Sequence, residues 1–266
     1  MIRDITIGQY YPADSILHRL DPRVKLVGTF LYIISLFIVN HFTAYILVTI
    51  FLISIINLSK VPVSFILKGL KPIVLLLVFT VGFNLFLTKG DPVFTLGFLT
   101  ITEQGIVTAL KMGFRLVFLI IGSSIMTYTT TPNQLTDGLE NLLDPLNKIK
   151  IPVHEISMMM SIALRFIPIL VEETDKIMKA QMARGADFES GNIIQRAKSL
   201  IPILVPLFVS AFRRANDLAM AMEARCYKGG KGRTKMKPLK YDNKDKVTYL
   251  ILISFFVLVI ISRIIF

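Results

Sequence analysis

Cysteine occurs once, at Cys226, so neither an internal disulfide framework nor a multi-cysteine metal site is open to this chain. The three histidines, His18, His41 and His154, lie too far apart in sequence to form a local ligand cluster. Acidic residues are scarce where an ion-coupled carrier would need them. Between Val24 and Thr130 they are Asp91 and Glu103, both in one loop between apolar blocks, whereas secondary transporters put ionisable groups near the bilayer midplane. The first 25 residues hold Asp4, Asp14, Asp21, two prolines and no apolar run, a pattern unlike a signal peptide, so insertion is expected to be directed by the first true span. The stretch Gly-Gly-Lys-Gly-Arg-Thr from Gly229 lacks both the Gly-x-x-x-x-Gly-Lys-Ser/Thr spacing and a preceding strand, which sets aside a phosphate loop. Carboxylates such as Glu172, Glu173 and Asp175 are scattered along one segment and read as helix-face charges, not as an acid/base or metal cluster. The expectation is a chain without catalytic residues, bound cofactor or metal ligands.

What the sequence has is apolar blocks. Hydrophobic residues make up 53% of its 266 positions, and the mean hydropathy is +0.64. Residues 26–39 and 44–58 are uncharged and separated by Asn40-His41-Phe42-Thr43, which predicts a tight hairpin of two helices. Residues 72–88 predict a third span, about Thr102 to Thr130 a fourth interrupted by Lys111 and Arg115, and 247–266 a fifth. Asn84 and Arg115 are the strongly polar residues within these spans and read as packing or snorkelling side chains. Of 30 Lys and Arg, 26 fall in three groups: the N-terminal segment, the link holding Lys60, Lys68 and Lys71, and residues 131–246. Alternating spans put all three on one side. Since cytoplasmic loops collect basic residues, that side is expected to be cytoplasmic, with the N-terminus in and the C-terminus out across a cell membrane. The predicted fold class is an all-α polytopic membrane protein of about five spans with a cytoplasmic module of long amphipathic helices. Its expected divisions are 1–130 for the N-terminal segment and four spans, 131–227 for the cytoplasmic helices, 228–246 for a basic linker, and 247–266 for the last span.

From Thr131 the pattern becomes amphipathic. Thr131-Pro132 reads as an N-cap with proline in the first turn. A second helix is expected from about Val153 to Ala183, apolar in its first half and charged in its second, with Pro168 kinking it between the two. Glu172–Lys176 and Asp175–Lys179 stand there at four-residue spacing. After a Gly185–Gly191 turn, a third helix is expected from about Asn192 to Arg225, bent by Pro202 and Pro206, with Arg213 and Asp217 paired along it. Seven methionines crowd these helices, as core filling or as an adaptable surface. The basic stretch 228–246, with eight basic and two acidic residues, reads as a solvated linker touching anionic lipid headgroups of the bilayer. It lies beside the membrane and lacks interleaved aromatics, so nucleic acid is not expected as a partner.

The two long helices end alike. Ala180-Gln181-Met182-Ala183-Arg184-Gly185 and Ala221-Met222-Glu223-Ala224-Arg225-Cys226 share Ala-x-x-Ala-Arg, with the arginines 41 residues apart. An arginine in a last turn suits the negative end of the helix dipole, and small alanines one and four positions before it clear a face. Its planar fork of donors suits a carboxylate on a partner. One such end would be an ordinary terminus; two matching ends point to paired sockets on a dimeric partner.

These residues carry a family resemblance. HRLDPRVKL (18–26), TTTPNQLTDGLENLLDPL (129–146), ALRFIPILVEE (163–173), AQMARGADF (180–188) and LVPLFVSAFRRANDLAMAMEAR (204–225) resemble the transmembrane T component of energy-coupling factor (ECF) transporters, ATP-driven importers of vitamins and metal ions. The resemblance implies two ATP-binding ATPase subunits, identical or paralogous, docked on Ala183-Arg184-Gly185 and Ala224-Arg225-Cys226, and a membrane-embedded substrate-binding S component. Cys226 departs from the usual Ala-Arg-Gly and puts the tight turn after Arg225 in question. The implied function is a non-catalytic coupling subunit of a vitamin importer. The T component of a cobalt or nickel importer differs from it only in partners, and a membrane enzyme fits the residues less well.

Overall fold

A computed structural model describes residues 9–96, 99–188, 192–230, 236 and 238–265. Arg3, Asp4, Gly191, most of the basic run 231–237 and Phe266 lie outside them. The described chain is almost wholly helical and divides into two compact units: residues 8–142 with 239–266, and residues 143–238.

The first unit is built on α2 (Pro22–Ile38), which packs against α6 (Glu103–Thr129) and α11 (Asn243–Ile265), while α3 (Phe42–Ser59) lies against α6 and α11. Its start follows from the sequence. The Asp21 carboxylate accepts the Arg23 N–H and Pro22 opens the first turn, where a missing N–H costs nothing. Gly122 on α6 leaves room for the ring of Tyr32, whose hydroxyl donates to the Phe118 carbonyl at 2.9 Å. Tyr32, Leu36, Tyr45, Val48, Leu52, Phe255 and Val259 form the main core. Outward, large apolar side chains such as Phe30, Leu75, Phe79 and Phe83 stand more than half exposed, as a lipid-facing surface requires.

The motif at residues 18–26 is a polar knot. Arg23 pairs with Asp21 at 2.8 Å and lies over the Tyr241 ring at 3.8 Å. Asp245, near the start of α11, accepts the backbone N–H groups of Asp21 and Asp242. Lys25 donates to the carbonyls of His18 and Thr129. The knot fastens the beginnings of α2 and α11 to the end of α6.

Six helices among the described residues are long and apolar enough to cross a membrane: Phe42–Ser59, Val63–Leu87, Glu103–Thr129, Val153–Ala183, Ile194–Ala224 and Asn243–Ile265. Four of them carry spans expected from the sequence. The first expected span lies in α2, which at 17 residues is shorter than any of the six. The third is longer than its apolar run suggests. α4 (Val63–Leu70) continues through a 3-10 turn into α5 (Val74–Leu87), so Lys68 and Lys71 sit in a helix and not in a link. The loop beyond it contains a hairpin, β1 (Pro92–Leu96) antiparallel to β2 (Leu99–Thr102). Thr102 then caps α6 through its hydroxyl.

α1 (Ile16–Arg19) is one turn capped by Ser15. α7 (Pro132–Leu143) opens with a reciprocal box, Gln134 N–H to the Thr131 hydroxyl and Thr131 N–H to the Gln134 side chain. Residues 131–142 were grouped by sequence with the cytoplasmic helices. In the structure they fall in the first unit, where a Cβ at Gly138 would meet Pro22 at 2.9 Å.

The second unit holds α8 (Val153–Ala183), α9 (Ile193–Ser199) and α10 (Ile201–Ala224). α8 continues through Pro168. The expected third helix divides at Leu200, two residues before Pro202, which occupies the first turn of α10 and needs no N–H partner there. α9 starts at Asn192 with a capping box completed by Gln195.

Candidate functional site

The ends of α8 and α10 have the same backbone geometry. Arg184 (φ −90°, ψ 6°) and Arg225 (φ −92°, ψ 12°) are the C-caps. The next residue adopts positive φ in both cases, 89° at Gly185 and 54° at Cys226. The Gly185 N–H donates to the Met182 carbonyl and the Ala186 N–H to Gln181; equivalently, the Cys226 N–H donates to Glu223 and the Tyr227 N–H to Met222. These crossed pairs define a Schellman turn at each end. The sequence put the second turn in question because Cys226 stands where glycine is expected. The turn forms nonetheless, with a cysteine held in the left-handed region.

That position carries strain, since a Cβ in the left-handed region costs on the order of 1–2 kcal/mol. Cys226→Gly should therefore stabilise the protein by about 1 kcal/mol and leave the Arg225 cap unchanged. Thermal unfolding of the detergent-solubilised chain checks this, and an equal or lower midpoint would show that the cysteine is not strained.

Both arginines are exposed, as are Ala180, Ala183, Ala221 and Ala224 around them. Neither guanidinium has an ion pair among the described residues. Met182 and Met220 stand 49% and 59% exposed beside the tips, so here the methionines form surface and not core.

α8 and α10 pack against each other in opposite directions. Glu173 on α8 accepts from the Ser210 hydroxyl and pairs with Arg214 at 2.9 Å, while Gln181, eight residues on, reaches back to the Pro202 carbonyl. Beyond α10 the chain returns to the start of α8, where Gly230 lies against the ring of His154. Each arginine sits 11 residues beyond the Glu173–Arg214 clamp on its own helix. At 1.5 Å rise per residue, that is roughly 16 Å on either side, and the two tips face away from each other about 30 Å apart. Sequence spacing alone suggested two similar ends, but not that they lie at opposite ends of one antiparallel pair.

The clamp was not singled out from sequence. In the sequence Glu173 reads as a helix-face charge, and Arg213 with Asp217 as the pair on α10. Among the described residues the ion pair of this unit joins Glu173 to Arg214 across the two helices. One signal was present: Glu173 and Arg214 are 41 residues apart, the same separation as the two arginines. Asn84 and Arg115 take up local packing duties. Asn84 donates to the Thr80 carbonyl within its helix, and Arg115 donates to the Val39 carbonyl at the end of α2. Among the described residues no group of three His, Cys, Asp or Glu could hold a metal ion.

Comparison with known proteins gives a consistent result. A family model described as cobalt transport protein (CbiQ) matches residues 13–236. A protein of Clostridium kluyveri named energy-coupling factor transporter transmembrane protein EcfT is 57% identical over 266 residues, covering 99% of this chain and 98% of the relative. Proteins of the same name from Ruminiclostridium cellulolyticum and Bacillus subtilis are 56% and 51% identical, covering 100% and 92% of this chain, and 100% and 93% of their own lengths.

Proposed function

This chain belongs to the CbiQ family of cobalt transport proteins, beside relatives named as the transmembrane protein of energy-coupling factor transporters, and on that footing we propose that it is the coupling subunit of an ATP-driven vitamin importer. Two ATPase subunits dock on the tips at Ala183-Arg184-Gly185 and Ala224-Arg225-Cys226. A separate S component in the bilayer carries the substrate. Movement of the ATPases turns the α8–α10 pair, and the membrane helices pass that movement to the S component. The chain itself carries out no catalysis; ATP is hydrolysed by its partners.

One observation carries this reading. Two exposed arginines stand on identical turns, at opposite ends of one clamped helix pair, with equal arms from the clamp. A dimeric ATPase with one acidic socket on each subunit is the partner that such a pair fits. The partner must lie on the same side of the membrane as the basic segments, so α8 to α10 are placed at the cytoplasmic face. The description of the family model favours a second reading, a T component dedicated to cobalt or nickel. The same coupling machinery would serve it, and the S component co-isolated with the chain distinguishes the two.

The single cysteine tests docking and sidedness together. Cys226 is exposed beside Arg225. In sealed vesicles holding the whole complex, a membrane-impermeant maleimide should label Cys226 only when applied from the cytoplasmic side. Stripping the ATPases should raise that labelling. Reaction from the outer face refutes the topology, and labelling indifferent to the ATPases refutes docking at this tip.

A further inference from the structure

A cleft of about 1200 Å³ runs through the first unit between α3 and α11, with α2 as its floor. The two walls meet where the rings of Phe51 and Phe255 stack at 3.9 Å. The rims are open: Ile50 is 62% exposed on one side and Leu250 72% on the other. The walls lie on helices long and apolar enough to cross a membrane, so what fills the cleft must be apolar along most of its length.

One end is different. Lys25 lines it while only 7% exposed, among the most buried charges of the described chain. Its ammonium has three donors. Two go to the carbonyls of His18 and Thr129, at 3.2 and 2.8 Å. No carboxylate lies within ion-pair distance among the described residues: Asp21 is taken by Arg23, and Asp245 by the backbone N–H groups of Asp21 and Asp242. The spare donor of a buried cation calls for a further strong acceptor, which a phosphate oxygen supplies. Exposed Lys244 and Asn243 line the same end.

We propose that this cleft binds one anionic phospholipid, its acyl chain between α3 and α11 and its phosphate at Lys25 and Lys244. The dimensions select a lipid over a helix of another protein. The lining runs from Asn243 to Leu258 on α11 and from Thr43 to Leu58 on α3, 15 residues on each wall, about 22 Å. That is room for an acyl chain with its headgroup, and short of the roughly 30 Å hydrocarbon core that a crossing helix needs. The site is independent of the arginine tips and of which face is cytoplasmic.

The complex reconstituted in phosphatidylcholine vesicles, with a trace of phosphatidylglycerol carrying a diazirine in its acyl chain, tests the proposal. After irradiation, adducts should concentrate on residues 50–58 and 247–255 several-fold over the exposed face of α5 at Leu75, Phe79 and Phe83. Ser54→Phe with Thr248→Phe, one on each wall, should abolish that excess. Competition by unlabelled phosphatidylglycerol over phosphatidylcholine should weaken roughly tenfold in Lys25→Met, the loss of one charged hydrogen bond. Lys244→Gln, at an exposed position, should weaken it to a lesser degree and decides the matter if Lys25→Met fails to fold. Equal labelling of the cleft and α5 overturns the proposal. So does a headgroup preference untouched by the lysine substitutions, or a partner peptide cross-linked in the cleft of the assembled complex in place of lipid.

Discussion

Replacing Arg184 and Arg225 together by alanine should release the ATPase subunits from the complex while this chain remains folded in the membrane. The folded state has little at stake, because both side chains are exposed and make no ion pair among the described residues. In the complex, each arginine would be buried against a carboxylate. Truncating one partner of such a pair costs on the order of 2–5 kcal/mol, much of it from the charge left stranded. Two tips about 30 Å apart hold one dimer through two sites, so the second site binds at high effective concentration once the first is engaged. Either single substitution should therefore still assemble while transporting poorly, and only the double substitution should fall apart. Lysine should rescue in part, keeping the charge but losing the two-pronged geometry. Arg196 and Lys198, exposed on α9, serve as controls. Co-purification of the ATPases with a tagged chain reads the outcome. Retention by the double variant refutes the sockets, and equal damage from the control substitutions shows an effect of bulk charge.

The sequence made most of this visible because apolar blocks and repeated motifs are local signals. Residues 26–39, 44–58 and 247–266 read as spans because a helix in lipid satisfies its backbone internally and needs only apolar side chains around it. Val153–Ala183 read correctly to the residue, its limits set by Pro152 and the Arg184-Gly185 turn. Lys68 and Lys71 misled, because charge suggested a link where a helix runs on with its lysines near one end. α7 is grouped by its place in the chain with the helices that follow it, whereas it falls in the first compact unit. Its packing depends on Gly138 fitting against Pro22, a contact between residues 116 positions apart that no local pattern encodes. The turn at Cys226 shows the opposite case. The same crossed hydrogen bonds close both helices after a shared Ala-x-x-Ala-Arg, and they hold a left-handed residue even without glycine. What the sequence could not supply was direction. Antiparallel packing of α8 and α10 is fixed by Glu173, Ser210, Arg214, Gln181 and Pro202, and only their meeting shows that the two arginines point apart.

Breaking the clamp should separate docking from transport. Glu173→Ala removes the acceptor of both Ser210 and Arg214 and leaves both tips intact. The pair is partly exposed, 40% at Arg214 and 22% at Glu173, so its loss should change stability little, as for surface ion pairs in general. The geometry of force transfer is another matter. A displacement at one tip reaches the other only if α8 and α10 turn as one body, and the clamp stands midway between the tips. With it gone, each helix can follow its own ATPase subunit. The ATPases should still co-purify and still hydrolyse ATP, while substrate uptake per ATP falls about tenfold, within the 1–3 kcal/mol typical of coupling between sites. Arg214→Glu alone should do the same, by setting two carboxylates face to face. The reversed pair, Glu173→Arg with Arg214→Glu, should recover much of the uptake, because it restores the attraction with the ends exchanged; the coupling energy of that double-mutant cycle is the quantity to measure. Uptake unchanged in Glu173→Ala would mean that the helices are held together by their apolar contacts alone. Loss in Glu173→Ala with uptake unchanged in Arg214→Glu would assign the effect to Ser210 and not to the charges.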